Sequence, residues 1–159
     1  MGVSGAGKST IGAQLARALG VAFIEGDDLH PVRNVERMAA GIPLTDDDRQ
    51  GWLLAIAARL RDAQRAGVGL VASCSALKRR YRDLLRSAGD PDVRLVYLQG
   101  RKSLLAERMA TRRGHFMPPG LLDSQLATLE EPSPDERAFV CDIRETADAI
   151  VADLVQRAA

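Results

Sequence analysis

Gly2-Val3-Ser4-Gly5-Ala6-Gly7-Lys8-Ser9 is the stretch on which the reading of this chain turns. It fits G-x-x-x-x-G-K-[ST] at every fixed position, and Thr10 follows. This is the pattern of a phosphate-binding P-loop. The glycines let the backbone turn tightly, so that successive N–H groups point into one anion-sized concavity. A helix starting near Lys8 adds its positive end and its unpaired N–H groups. In such a loop the lysine, Lys8, reaches the β- and γ-phosphates and the hydroxyl of Ser9 ligates Mg²⁺. Gly2, Ser4, Gly5, Ala6, Gly7, Lys8, Ser9 and Thr10 are therefore the expected nucleotide-binding set, with ATP and Mg²⁺ as cofactors. The helix that must follow is legible: Ile11, Leu15 and Leu19 recur every four residues, and Gly20 closes the run.

A P-loop is normally fed by a buried strand of about five or six residues, and here only Met1 precedes Gly2. We therefore expect the first, central strand to be truncated in this chain and an apolar, β-branched run to precede Met1. A stop codon or a polar stretch immediately upstream would refute that. The 159 residues suit one domain. A net charge of +1 gives no general attraction to nucleic acid or to acidic membranes. No apolar run approaches the roughly 18 residues of a membrane span. Cys74 and Cys141 show neither metal spacing nor a disulfide framework. A cytoplasmic location is the expectation.

Downstream, apolar runs alternate with helical periodicity. Val21 to Ile24 reads as a buried strand ending in Glu25-Gly26-Asp27-Asp28. His30-Pro31 opens a helix to about Ala40, with Val35 and Met38 on its buried face. Thr45 caps a long helix to about Ala66, whose stripe is Trp52, Leu53, Ile56 and Leu60. Leu70 to Cys74 is a second strand, and a basic helix with Tyr81, Leu84 and Leu85 follows. Val93 to Leu98 is a third strand, and a helix runs from Lys102 to about Arg113. A loop at 115–120, a short helix from Leu121 to about Leu129 and a linker at 131–134 lead to a strand at 138–142 and a last helix from Thr146. This predicts an α/β fold, a three-layer αβα sandwich with a parallel sheet, as one domain over 1–159 with a small helical lid at about 108–129.

The candidate residues gather at strand ends, where open α/β sheets bind ligands. Glu25 and Asp27 are two apart on a strand reading, which puts both on one side. One can hold Mg²⁺ through water and the other can accept a proton from a substrate hydroxyl. His30 can hydrogen-bond a polar substrate or simply begin a helix. Asp46, Asp47 and Asp48 suit a helix N-terminus, whereas Arg49 in that first turn opposes the dipole and suggests another duty. Ser75 and Lys78 lie where a strand runs into a helix and can meet a hydroxyl or an anion. Arg108, Arg112, Arg113 and His115 suggest a lid that stabilises charge during phosphoryl transfer. No guanine-recognition Asn-Lys-x-Asp motif is present.

Together these stretches resemble the P-loop type of gluconokinase, within the shikimate-kinase and nucleoside-monophosphate-kinase group. The resemblance is carried by Glu25-Gly26-Asp27-Asp28-Leu29-His30-Pro31, Gly41-Ile42-Pro43-Leu44-Thr45-Asp46-Asp47-Asp48-Arg49, Cys74-Ser75-Ala76-Leu77-Lys78 and Arg113-Gly114-His115-Phe116. It implies ATP-dependent phosphorylation of the 6-hydroxyl of D-gluconate, in a protein that is often a homodimer. Asp27 would engage the acceptor hydroxyl. His30, Arg49, Ser75, Lys78 and His115 would bind the sugar acid. Ser9 and Glu25 would serve the metal, with Glu25 standing where the pattern usually has Asp. Arg112 or Arg113 would come from the lid, and Arg108 would lie near the adenine. The residues alone leave open another acceptor, such as shikimate, and a regulator that binds ATP without turnover.

Overall fold

The computed structural model describes residues 1–111 and 119–158. In chain order they form α1 (Lys8–Leu19), β1 (Ala22–Glu25), α2 (Val32–Ala39), α3 (Asp46–Arg65), β2 (Leu70–Ser73), α4 (Arg79–Ala88), β3 (Val96–Gln99), α5 (Lys102–Thr111), α6 (Pro119–Thr128), β4 (Phe139–Asp142) and α7 (Ala147–Ala158). β1 pairs parallel with β2 in the register Ala22–Leu70 to Glu25–Ser73, and β3 pairs parallel with β4. The three-layer order follows from side-chain alternation along β2. Leu70, Ala72 and Cys74 pack with Trp52, Ile56 and Leu85 of α3 and α4, while Val71 packs with Ile11, Leu15 and Leu154 of α1 and α7.

The expected single sheet is, among the described residues, two pairs of strands. The main chain of Met1 and Gly2 lies between them. The Met1 amine donates to the Val96 carbonyl, and Leu98 N–H donates to the Met1 carbonyl at 3.0 Å. Those are the two bonds that one residue of a parallel strand makes. Gly2 N–H donates to Ser75 O at 3.1 Å on the other side. Below Met1, an apolar cavity of about 380 Å³ separates β2 from β3, lined among others by Ile56, Leu60, Val71, Val96 and Leu98. The central-strand reading thus meets the structure at a single residue.

Thr45 and Asp48 form a reciprocal capping box, which fixes the start of α3. Three expectations need correction. β3 starts at Val96 rather than Val93, because Asp90 accepts from the N–H groups of Asp92 and Val93 and turns the chain there. On α2, Val35 is exposed and the fully buried side chain is Asn34. The supposed linker contains a 3₁₀ turn, Pro134–Glu136, closed by a capping box from Ser133.

Gly26 joins β1 to the acceptor side of the molecule. A Cβ there would lie 2.0 Å from the Ser73 carbonyl oxygen, against backbone that cannot swing away. Gly26→Ala is expected to cost about 3 kcal/mol by overpacking, read as a lowered midpoint of urea unfolding.

Candidate active site

The loop at 2–9 wraps the N-terminus of α1 with Gly5 and Gly7 in left-handed conformations, φ 80° and 92°. Gly7 is the N-cap, and no side chain caps this helix. The helix end thus keeps its N–H groups for an external anion, the chemistry that a triphosphate requires. The loop is braced from two sides. Ser4 N–H donates to Gln125 Oε1 of α6 at 2.7 Å, and a Cβ on Gly5 would lie 2.9 Å from the Leu105 carbonyl of α5. Lys8 Nζ donates to the Val3 carbonyl at 3.0 Å, so its amine folds over the loop.

β1 ends at Glu25, and the next four residues form a 3₁₀ turn, Gly26–Leu29. This corrects the strand reading of Asp27: the turn, not strand alternation, sets its direction. Glu25 is tied to β2, since the Ser73 hydroxyl donates to its carboxylate and accepts from Gly26 N–H at 3.0 Å. Asp27 is largely exposed, with its Oδ1 4.0 Å from His30 Nε2. The His30 side chain is only 3% exposed and stacks on Trp52. Burial lowers the pKa of the imidazole, an effect that Arg49 reinforces and Asp27 opposes. Cys74 follows β2 and is buried. Burial pushes its thiol up to about 11, and it feels the charges of both Asp27 and Lys8. A thiol so placed is an inert packing residue.

A second cluster lies where α3 and α4 begin. Asp46 accepts from the Tyr81 hydroxyl and pairs with Arg80 and with Lys78, whose Nζ lies 3.0 Å away. Arg49 lies over the Tyr81 ring at 5.9 Å, and its Nε is buried without a hydrogen-bond partner. A buried orphan donor is what a polar acceptor would complete. Behind it, Arg82 and Glu136 form a buried bidentate pair at 2.5 and 2.7 Å. Arg82 also donates to the carbonyls of Ala76, Leu77 and Glu130 at 3.0, 3.3 and 3.0 Å. It thereby fixes the segment Ser75–Lys78, where Ala76 holds φ 43°, unusual for a residue with a Cβ.

A family model described as an AAA domain matches residues 1–132. The thermoresistant gluconokinase of Escherichia coli (strain K12) is 43% identical over 157 residues, which span 98% of this chain and 89% of that protein. The chain belongs to the gluconokinase family. A gluconokinase of Gluconobacter oxydans (strain 621H) is 47% identical over 98% of this chain and 87% of its own length. The crystal structure of a gluconokinase from Sinorhizobium meliloti 1021 superposes with a TM-score of 0.86 at 51% identity, covering 96% of this chain and 85% of that one. The α/β P-loop kinase fold and the gluconokinase assignment read from the sequence therefore both hold.

Of the residues expected in the site, the structure brings Asp27 beside His30, places Lys8 over the P-loop, and sets Arg49 and Lys78 about the Tyr81 ring, with Ser75 accepting from Gly2 N–H. Arg108 lies away from that group, on α5, and donates to the Ile143 carbonyl at 2.6 Å. Arg112, Arg113 and His115 lie outside the described residues, as does the middle of the expected lid. Sequence reasoning missed Asn34, Asp46 as an organiser, and the Arg82–Glu136 pair. Asn34 had a signal, since it sits one helical turn before Met38. The pair had none, because its partners are 54 residues apart. No group of three or more His, Cys, Asp or Glu that could hold a metal exists among the described residues. Nor is any described helix long and apolar enough to cross a membrane.

Proposed function

We propose that this chain transfers the γ-phosphoryl group of ATP to the 6-hydroxyl of D-gluconate, giving 6-phospho-D-gluconate and ADP. The observation that carries the reading is a P-loop whose helix end is left without a side-chain cap, in a chain whose identity to gluconokinases runs along 98% of its length. The N–H groups of Gly5 and of Gly7 to Thr10, with the Lys8 amine, cradle the β- and γ-phosphates. The Ser9 hydroxyl is a hard oxygen donor suited to Mg²⁺, which keeps several waters of its own. Glu25, its carboxylate oriented by the Ser73 hydroxyl, would serve the shell of such an ion. When bound, the ion neutralises charge on the phosphates. Asp27 takes the proton of the acceptor hydroxyl as its oxygen attacks phosphorus. Arg49 supplies its orphaned donor to the acid, with Lys78 and Ser75 beside it. Asp46 holds Lys78 in place and tempers its charge until the substrate carboxylate arrives. Arg108, Arg112 and Arg113 serve the nucleotide and the lid, and His115 the sugar acid.

The test is ADP release with Mg-ATP and, in parallel, D-gluconate, shikimate, other sugar acids and no acceptor. Gluconate-dependent release is the expected result. Release with shikimate or another acid instead would overturn the substrate. ATP binding with no release under any condition would favour a regulator.

A further inference from the structure

Between the P-loop and the start of α3, one histidine is held from three sides. The His30 ring stacks on Trp52 with centroids 4.1 Å apart and planes inclined by 16°. Trp52 is fully buried and its Nε1–H donates to the Gly26 carbonyl at 2.7 Å, so the platform itself is fixed. The ring edge meets Asn34, also fully buried. Asn34 Nδ2 donates to the Asp48 carbonyl at 2.7 Å, which decides which end of that amide is nitrogen. The same nitrogen lies 3.4 Å from His30 Nδ1. An amide nitrogen offers only hydrogens, so Nδ1 must present its lone pair. The ring proton then sits on Nε2, the atom that faces Asp27 Oδ1 at 4.0 Å. Burial of the ring favours the neutral form that this arrangement needs.

We propose that His30 is a positioning residue for Asp27, a neutral imidazole locked as its Nε2–H tautomer by Asn34 and Trp52. Its N–H is aimed at Oδ1 and leaves Oδ2 to take the acceptor proton. The proposal rests on the reading of Asp27 as the base. The separation of 4.0 Å is longer than a formed hydrogen bond, and catalytic contacts of this kind tighten when substrate closes the site. In the other tautomer two donors would confront each other at Asn34, and Asp27 would face a lone pair. His30 then acts on the reaction through Asp27 rather than as a ligand of the sugar acid.

The test uses the full chain labelled with ¹⁵N. Long-range ¹H–¹⁵N correlation reads which ring nitrogen is protonated, and only two histidines need to be separated. Protonation at Nε2 of His30 near neutral pH is expected. A proton on Nδ1, or an imidazolium, overturns the proposal whichever acid is the acceptor. Asn34→Ala is expected to release the ring into a tautomer mixture, and an unchanged single tautomer there overturns the part given to Asn34. Kinetics supply a second arm. His30→Phe keeps the stacking on Trp52 and removes the donor; it is expected to lower kcat about tenfold to a hundredfold with little change in acceptor KM. His30→Gln, whose amide can place an N–H near the Nε2 position, is expected to recover most of that loss. A raised acceptor KM at unchanged kcat would make His30 a substrate ligand, and wild-type kcat in His30→Phe would make it packing. Either result overturns the proposal. Absence of turnover in the wild type refutes the substrate reading instead, a failure that the tautomer measurement keeps separate.

Discussion

Asp27→Asn is expected to lower kcat with gluconate by about 10²–10⁴-fold while ATP still binds. On the transition-state scale that is about 3–5 kcal/mol. The substitution keeps the shape of the side chain and its place in the 3₁₀ turn after β1, and removes only the group that takes the proton. Because Asp27 is largely exposed and makes no hydrogen bond that β1 or α3 depends on, the unfolding midpoint should barely move. Steady-state ADP release and calorimetric titration with ATP check the two halves. Undiminished turnover would remove Asp27 from the chemistry, and lost ATP affinity would place it on the nucleotide. Lys8→Met is the contrasting case, in which affinity for ATP and turnover should fall together.

The largest stability effect should come from the Arg82–Glu136 pair. Both side chains are essentially buried, at 0% and 1% exposure. Arg82→Met leaves a buried carboxylate without its partner, and such a break costs about 3–5 kcal/mol. For a domain of this size the thermal midpoint should fall on the order of 10 °C. Replacing both partners with apolar residues should cost less than the single change, since neither charge is then stranded. The same contact governs acid tolerance. The bidentate hydrogen bonds from Arg82 pull the Glu136 carboxyl from its ordinary 4.5 to about 2. The folded state therefore binds this proton less readily than the unfolded chain does. The carboxylate's stabilisation is complete above pH 4.5 and is lost as pH falls toward about 2, amounting to about 3 kcal/mol. Urea midpoints across that range should drop steeply in the wild type and much less in Arg82→Met. Arg82→Met should also lower turnover, because Ala76 and the segment carrying Lys78 lose the guanidinium that fixes them.

How much of this could be read beforehand depended on the range of the forces involved. The P-loop, the α3 stripe of Trp52, Leu53, Ile56 and Leu60, and the Thr45 cap are set by neighbours within a turn or two, and all stand in the structure as read. Glu25, Asp27, Ser75 and Lys78 are legible as residue types at strand ends, and His30 and Arg49 as residue types at helix starts, but their partners are not. Nothing within a few residues of Asp46 announces that it will collect Lys78, Arg80 and Tyr81 from another helix. Asn34 was passed over because apolar periodicity assigns the inward face of α2 to Val35 and Met38. Its spacing from Met38 allows the inward position, and what stabilises it there is its hydrogen bond to the Asp48 carbonyl, 14 residues on.

The buried Arg82–Glu136 pair also has a cost written into the backbone beside it. Ala76 holds φ 43°, a conformation that glycine adopts freely and a residue with a Cβ does not. Arg82 donates to the Ala76 carbonyl at 3.0 Å. Part of the energy of that contact is therefore held as backbone strain at the edge of the site.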